Sequence, residues 1–145
     1  MNLPDEDHVV RHVPWARLLK DEDDKVFGFL PQAFELRPDE LALSVNWLEY
    51  FDSNKDSQIL ETVRAFRKNR DIGPNSKCAF GVGRVGEIKS VCQTQGTTVR
   101  IVFTPNNDNP AHSEIRYLPR DNLELYEAIA SSAFREIIFN SEIAT

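Results

Sequence analysis

AFELRPDELALSVNWLEYF, residues Ala33–Phe51, is the densest run of aliphatic and aromatic residues in the chain. One polar segment, Arg37–Glu40, interrupts the run, and its proline and acidic residues are typical of a turn. After this turn the side chains of Leu41, Leu43 and Val45 alternate with smaller ones, as in a half-buried β-strand. We therefore expect this stretch to form the packing centre of the fold.

The rest of the chain mixes strands and helices without strict alternation. The pattern predicts strands at 8–13, 26–30, 77–82, 98–104 and 112–118, and longer helices at 58–72, 86–95 and 121–139, with the last capped by Asp121. Short helical turns are expected at 15–19 and 47–51, the second capped by Asn46. This order favours an α+β domain over a doubly wound sheet. We expect a single domain over 1–145, in which a mixed, mostly antiparallel sheet packs against two or three helices. Its best position for a weak subdivision is 73–76.

The composition is that of one globular domain. The chain has 145 residues, of which 41% are hydrophobic and 28% charged, and both values are ordinary for a folded protein of this size. Its net charge of −6 argues against a nucleic-acid partner, because such binding depends on neutralising phosphates. A local basic segment is still present at Arg64, Arg67, Lys68 and Arg70.

Two further features concern the compartment and metal binding. No apolar stretch is long enough for a bilayer, and the acidic start lacks the order of a secretory signal, so we expect no membrane partner and a cytoplasmic protein. Cys78 and Cys92 fall at apolar positions, which predicts buried free thiols. The two cysteines match no zinc spacing. His8, His12 and His112 could contribute to a metal site, but His8 and His12 would lie about 13 Å apart on an extended strand, so one ion cannot bind both and no metal or cofactor is predicted.

The segment from Gly81 to Gly86 reads GVGRVG and matches the GxGxxG pattern between a predicted strand and a predicted helix. A ligand-binding interpretation assigns Gly81, Gly83 and Gly86 to a loop that lets a pyrophosphate approach the helix N-terminus. The alternative is a tight strand-to-helix turn that needs small residues. The alternative is favoured because the next strand ends without an acidic residue for a ribose.

A second candidate site lies on the last predicted strands. His112, Glu114 and Arg116 share one face, and Arg100 on the neighbouring strand can point to the same side. With His12, the His112–Glu114 pair is a candidate acid–base site, and Arg100 and Arg116 would suit an anionic substrate. An exposed sheet face with cross-strand ion pairs explains the same pattern.

Aromatic residues crowd the N-terminal third of the chain. Most are expected in the core, but Trp15, Trp47 and Tyr50 are candidates for a protein interface, where such residues are enriched. The partner would be another protein or a second copy of this chain.

Three stretches carry a resemblance to a known group: RHVPWARLLKDEDDKVFGFLPQAFELRPDE, LSVNWLEYF and NPAHSEIRYLPRDNLELYEAIA. Together they resemble small uncharacterised bacterial proteins, some of them on mobile gene cassettes. The resemblance implies a bacterial cytoplasmic origin and carries over no activity and no catalytic residue.

Two functional hypotheses follow. The first is a non-enzymatic accessory domain that binds another protein or associates with itself. The alternative is a small enzyme or ligand-binding protein with a polar pocket around His12, His112 and Glu114.

Overall fold

The protein is an α+β domain, described by a computed structural model over residues 1–51 and 54–144. The strands in these ranges are β1 His8–Val13, β2 Leu18–Lys20, β3 Val26–Phe29, β4 Ala42–Trp47, β5 Ala79–Arg84, β6 Arg100–Phe103, β7 His112–Arg116 and β8 Phe134–Phe139, and the helices are α1 Lys55–Arg70, α2 Val85–Thr94 and α3 Leu123–Ala128. Six strands form one antiparallel sheet in the order β6-β7-β4-β1-β5-β8, and β2 and β3 form a separate hairpin. The predicted fold class is confirmed.

The segment expected at the packing centre forms β4, inside the sheet. Leu43 and Val45 are buried as expected, but Leu41 is 89% exposed because the strand begins one residue later. The predicted cap at Asn46 is also wrong. The strand continues through Asn46, whose buried amide donates to the Thr62 hydroxyl at 3.3 Å, and a short 3₁₀ turn follows at Leu48–Tyr50.

Helices cover both faces of the sheet. On one face, the core includes buried side chains of α2, α3 and the β2–β3 hairpin, and it holds Cys92. On the other, Val63 and Phe66 of α1 pack on Val10 and Phe80. This amphipathic packing explains why α1 forms where the helical spacing predicts it. Cys78 and Cys92 are both buried and free, as predicted.

The predicted final helix is wrong in its second half. Helix α3 ends at Ala128, a π-helical turn covers Ile129–Ala133, and the chain then becomes β8, which pairs with β5. Consecutive apolar residues in β8 can serve both faces of a sheet, and this pairing overrides the local helical spacing. The cap is Asn122, which accepts from the Leu125 amide at 3.1 Å, rather than Asp121.

The segment at 73–76 does not separate the chain into two sheets. It precedes β5, which lies between β1 and β8, so strands from both sides of it share the one sheet. Gly81 and Gly83 belong to β5 rather than to the predicted loop. A Cβ on Gly83 would lie 2.8 Å from the Ala133 carbonyl oxygen, and one on Gly81 would lie 2.9 Å from Phe29 Cζ. These glycines are therefore needed for close packing.

Because β5 lies so close to the π-helical turn, a methyl group added at Gly83 should lower the stability of the protein. Gly83→Ala places its Cβ against backbone and should lower the free energy of unfolding by roughly 1–3 kcal/mol. Gly73→Ala is the matched control, because nothing lies within 4 Å of its Cβ position, and it should change stability by less than about 0.5 kcal/mol. Urea unfolding of both variants measures the difference. Equal stabilities would contradict the close packing of β5.

Candidate functional site

The sheet opens between β1 and β4. These two strands pair only at Val9 with Trp47 and at Val10 with Asn46, whereas β1 pairs with β5 along its whole length. Beyond Val10 the two strands diverge, and their backbone groups on the facing edges need other partners.

Arg11 occupies this opening. It is 8% exposed, and its guanidinium donates from Nε to the Ala33 carbonyl at 3.1 Å and from Nη1 to the Ser44 carbonyl at 2.9 Å. The side chain thus replaces the strand pairing that β4 lacks there. A buried guanidinium is tolerated only when it is hydrogen-bonded, and the two carbonyls meet part of that need.

A cavity of about 210 Å³ lies beside Arg11, and we call it the arginine cavity. It is lined by Arg11, His12, Pro14, Arg17, Ala33, Arg37 and Arg70. Four of its seven residues are therefore arginines, supplied by β1, the 3₁₀ turn after it, the turn before β4 and the end of α1. None of the four forms an ion pair within the described ranges.

Hydrogen bonds hold the side chain of Arg17 and the backbone of Arg37. Arg17 donates from Nη1 to the Gln32 carbonyl at 2.7 Å. The amide of Arg37 donates to the Glu40 carboxylate at 2.8 Å, and Arg120 donates to the carbonyls of Arg37 and Glu40. The turn that carries Arg37 is therefore fixed, and Glu40 supplies the nearby negative charge.

The electrostatics of the cavity disfavour further positive charge. Burial, followed by the charge of Arg70, lowers the pKa of Arg11 to about 10, so Arg11 stays protonated at neutral pH. Desolvation and then Arg37 lower the pKa of Arg70. Burial, followed by Arg70 and Arg11, lowers the pKa of His12 to about 4, which leaves the imidazole neutral at pH 7.

A second cavity, of about 340 Å³, shares Arg70 with the first, and we call it the polar cavity. It is lined by Ser44, Val45, Asn46, Phe66, Asn69, Arg70, Asn106, Asp108, Asn109 and His112. The Asn109 amide donates to Asn46 Oδ1 at 2.7 Å, while Asn109 Oδ1 is buried and has no donor among the described residues.

The three candidate acid–base residues are only partly brought together. His12 lines the arginine cavity and His112 lines the polar cavity. Glu114 lies outside both and approaches Arg116 at 3.6 Å. His112 is held by the Thr104 carbonyl at 2.9 Å and the Ser44 hydroxyl at 3.1 Å. His12 therefore shares a cavity with arginines and not with Glu114.

In the candidate phosphate loop, the backbone amides at the start of α2 already donate hydrogen bonds to the chain itself. The Gly86 amide at the start of α2 donates to the Asp5 carbonyl at 2.9 Å, and the preceding Val85 amide donates to Asp7 at 2.8 Å. Arg84 also donates to the Asp5 carbonyl. The chain's own N-terminal segment thus fills the positions that a phosphate would take.

The predicted arrangement of Arg100 and Arg116 is present, but not beside a cavity. The two residues are directly opposite each other on β6 and β7. Arg100 donates to Asn2 at 3.0 Å, and Arg116 lies near Glu114. Neither arginine lines the two cavities described above.

The predicted interface aromatics are half-covered. Trp15 lies under the ammonium groups of Lys20 and Lys77, at 4.3 and 5.5 Å from its ring centroid. Trp47 packs edge-on against Phe103. Tyr50, 38% exposed, is the most accessible of the three. Their assignment to an interface stays a prediction.

Residues 1–51 and 54–144 contain neither a membrane-spanning helix nor a metal-binding cluster. No helix there has both the length and the apolar character required for a membrane span. No group of three or more histidine, cysteine, aspartate or glutamate side chains is placed to hold a metal ion.

The proximity of Arg11, Arg17, Arg37 and Arg70 was not predicted from the sequence. One signal was present, because Arg11 stands between Val9 and Val13 on a strand face where the pattern demands apolar residues. The basic segment 64–70 gave a weaker signal. Of its four cations, only Arg70 lines the arginine cavity.

The chain was compared with family models, curated proteins and solved structures, and it matches none of them.

The lowered pKa of His12 predicts how stability depends on pH. In the unfolded chain this group titrates near 6.5 and in the folded protein near 4, so as the pH falls the unfolded state binds the proton first. His12 therefore reduces stability as the pH falls from about 6.5 to about 4. His12→Gln should lose less stability than the parent over this range, by roughly 1–3 kcal/mol. Urea unfolding at about pH 7.5 and about pH 4 compares them, and identical losses would contradict the burial of a neutral His12.

Proposed function

We propose that the protein binds a small anion in the arginine cavity. The observation that carries this proposal is that four arginines, whose charges repel at Arg11, line one small cavity in a protein whose net charge is −6. Repulsion between these groups costs stability, and an anion would offset it. Residues that are destabilised by their surroundings cluster at functional sites.

The geometry suits a tetrahedral or planar oxyanion. Guanidinium groups present several N–H donors in a fixed plane and bind phosphate or carboxylate through paired hydrogen bonds. Arg11 and Arg17 are anchored by backbone carbonyls, so little side-chain freedom remains to be lost on binding. Neutral His12 could add a hydrogen bond or take up a proton beside the bound anion.

This proposal refines the hypothesis of a polar pocket around His12, His112 and Glu114. It keeps His12 as a binding residue, places His112 in the adjoining cavity and leaves Glu114 out. No reaction is assigned, because among the described residues no carboxylate lines the arginine cavity to form an acid–base pair with His12.

Self-association is a second candidate, and one observation favours it. Leu41 is 89% exposed and Tyr117 is 58% exposed. Leu41 precedes Ala42 and Tyr117 follows Arg116, and Ala42 and Arg116 are paired at the same end of β4 and β7, so two large exposed apolar residues stand at neighbouring strand ends. Such a patch can serve as a contact between copies or with another protein.

The anion proposal is tested by calorimetric titration of the protein with inorganic phosphate, followed by variants on helix α1. Arg70→Gln removes a cavity guanidinium and should weaken phosphate binding by at least about tenfold. Arg64→Gln is the matched control, because Arg64 lies on the same helix and pairs with Glu61 at 2.8 Å. It should change the affinity by less than about twofold.

Two results would contradict the proposal. One is that neither phosphate nor a carboxylate such as citrate binds to the parent protein. The other is an equal loss of affinity in both variants, since that would indicate attraction by overall charge rather than by the arginine cavity.

The self-association proposal predicts that the apparent mass rises with protein concentration from the 16.6 kDa of one chain. Leu41→Lys should keep the protein monomeric, because it places a charge in the proposed contact. Phe27→Lys, on the separate β2–β3 hairpin, is the control, and this variant should associate as the parent protein does. Sedimentation velocity measures the mass, and a parent protein that stays monomeric at every concentration would remove this candidate.

A further inference from the structure

We propose that the anion is the phosphate of a phosphorylated sugar, whose hydroxyl groups occupy the polar cavity while the phosphate occupies the arginine cavity. This inference rests on the proposed function and names the class of its ligand. The two cavities together fix where each half of such a ligand would lie.

The cavities are neighbours. Arg70 lines both. His12 in the arginine cavity also lies near Phe66 of the polar cavity, with ring centroids 6.3 Å apart. Arg11 donates to the carbonyl of Ser44, a residue that lines the polar cavity. A ligand held at Arg70 can therefore extend into either space.

The two cavities need opposite hydrogen-bonding partners. The arginine cavity presents guanidinium donors and no carboxylate among its lining residues, so it needs acceptors such as phosphate oxygens. The polar cavity has the carboxylate of Asp108 and the carbonyl oxygen of Asn109, which has no donor among the residues described. Both are acceptors, so a ligand that extends past Arg70 into this cavity needs donors as well as acceptors.

Sugar hydroxyls meet that need. Each hydroxyl donates one hydrogen bond and accepts others, which matches a wall that holds Asn69 and Asn106 beside Asp108. The amides of the other two asparagines, Asn46 and Asn109, already donate within the protein. Asp108 would also repel an anion, which sets the direction of the ligand, with its phosphate away from Asp108 and toward Arg11 and Arg17. The polar cavity, at about 340 Å³, falls within the range of known small-molecule sites.

The test compares four probes by calorimetric titration: inorganic phosphate, butyl phosphate, ribose 5-phosphate and ribose. Ribose 5-phosphate should bind at least about tenfold more tightly than inorganic phosphate and butyl phosphate, and ribose without phosphate should show no measurable binding. In Asp108→Asn the ratio of the ribose 5-phosphate affinity to the phosphate affinity should fall toward one. Asp108 is exposed, so this variant should fold. Asp23→Asn, in the turn of the β2–β3 hairpin, is the matched control and should keep the parent ratio.

Each other outcome overturns this inference in a recognisable way. If phosphate binds and ribose 5-phosphate binds no more tightly, the sugar is wrong while the anion proposal stands. If ribose 5-phosphate binds more tightly but Asp108→Asn keeps the parent ratio, the sugar does not lie in the polar cavity. If no probe binds, the anion proposal fails and this inference fails with it.

Discussion

The structure depends on how Arg11 closes the opening between β1 and β4. A strand pair that ends after two residues leaves carbonyl groups without partners, and the guanidinium of Arg11 donates to one of them, that of Ser44. Removing a charge from water is costly unless its hydrogen bonds to water are replaced. The Ala33 carbonyl accepts a second hydrogen bond from the Arg11 guanidinium and so replaces another of them. The same side chain therefore completes the sheet and brings a positive charge into the cavity.

The rest of the fold sets what surrounds this charge. Helix α1 carries Arg70 at its last residue, and its final turn is fixed by Arg67, which donates to Asn140 Oδ1 and to the carbonyls of Asn140 and Ile143. Asn140 is fully buried and donates in turn to the Gly73 and Ser76 carbonyls. Arg67 Nη1 is buried without a partner among the described residues, but the other bonds of Arg67 and Asn140 are made. Because bonded polar groups hold their neighbours in one geometry, these bonds fix the end of α1, which carries Arg70.

Much of the fold could be predicted from the sequence. The strand at 8–13 and the β6–β7 hairpin follow from period-two patterns, which depend only on neighbouring residues. The final helix failed at Phe134–Phe139, because this segment becomes an edge strand only when β5 is present to pair with it. The placement of Gly81 and Gly83 in a loop was wrong for a similar reason, since only the packing of Ala133 and Phe134 against β5 shows why Gly83 must be small.

The site was harder to predict than the fold. His12 and His112 were named as candidates from the sequence, because histidine is the side chain that titrates near neutral pH. The four cavity arginines were not named together, since each one looks like an ordinary solvated residue. Their proximity depends on the divergence of β1 from β4. Only Arg11, which replaces an apolar residue on a buried strand face, carried a local signal. Chemistry built from distant segments becomes visible when the topology is known.

The most direct test of anion binding in the arginine cavity is a nuclear magnetic resonance titration of the protein with inorganic phosphate. The side-chain Nε–H signals of arginine report which guanidinium groups meet the anion. We expect the signals of Arg11, Arg17, Arg37 and Arg70 to shift and saturate together, while those of Arg64 and Arg135 stay in place. Shifts spread evenly over all the arginines, or confined to those outside the arginine cavity, would contradict it.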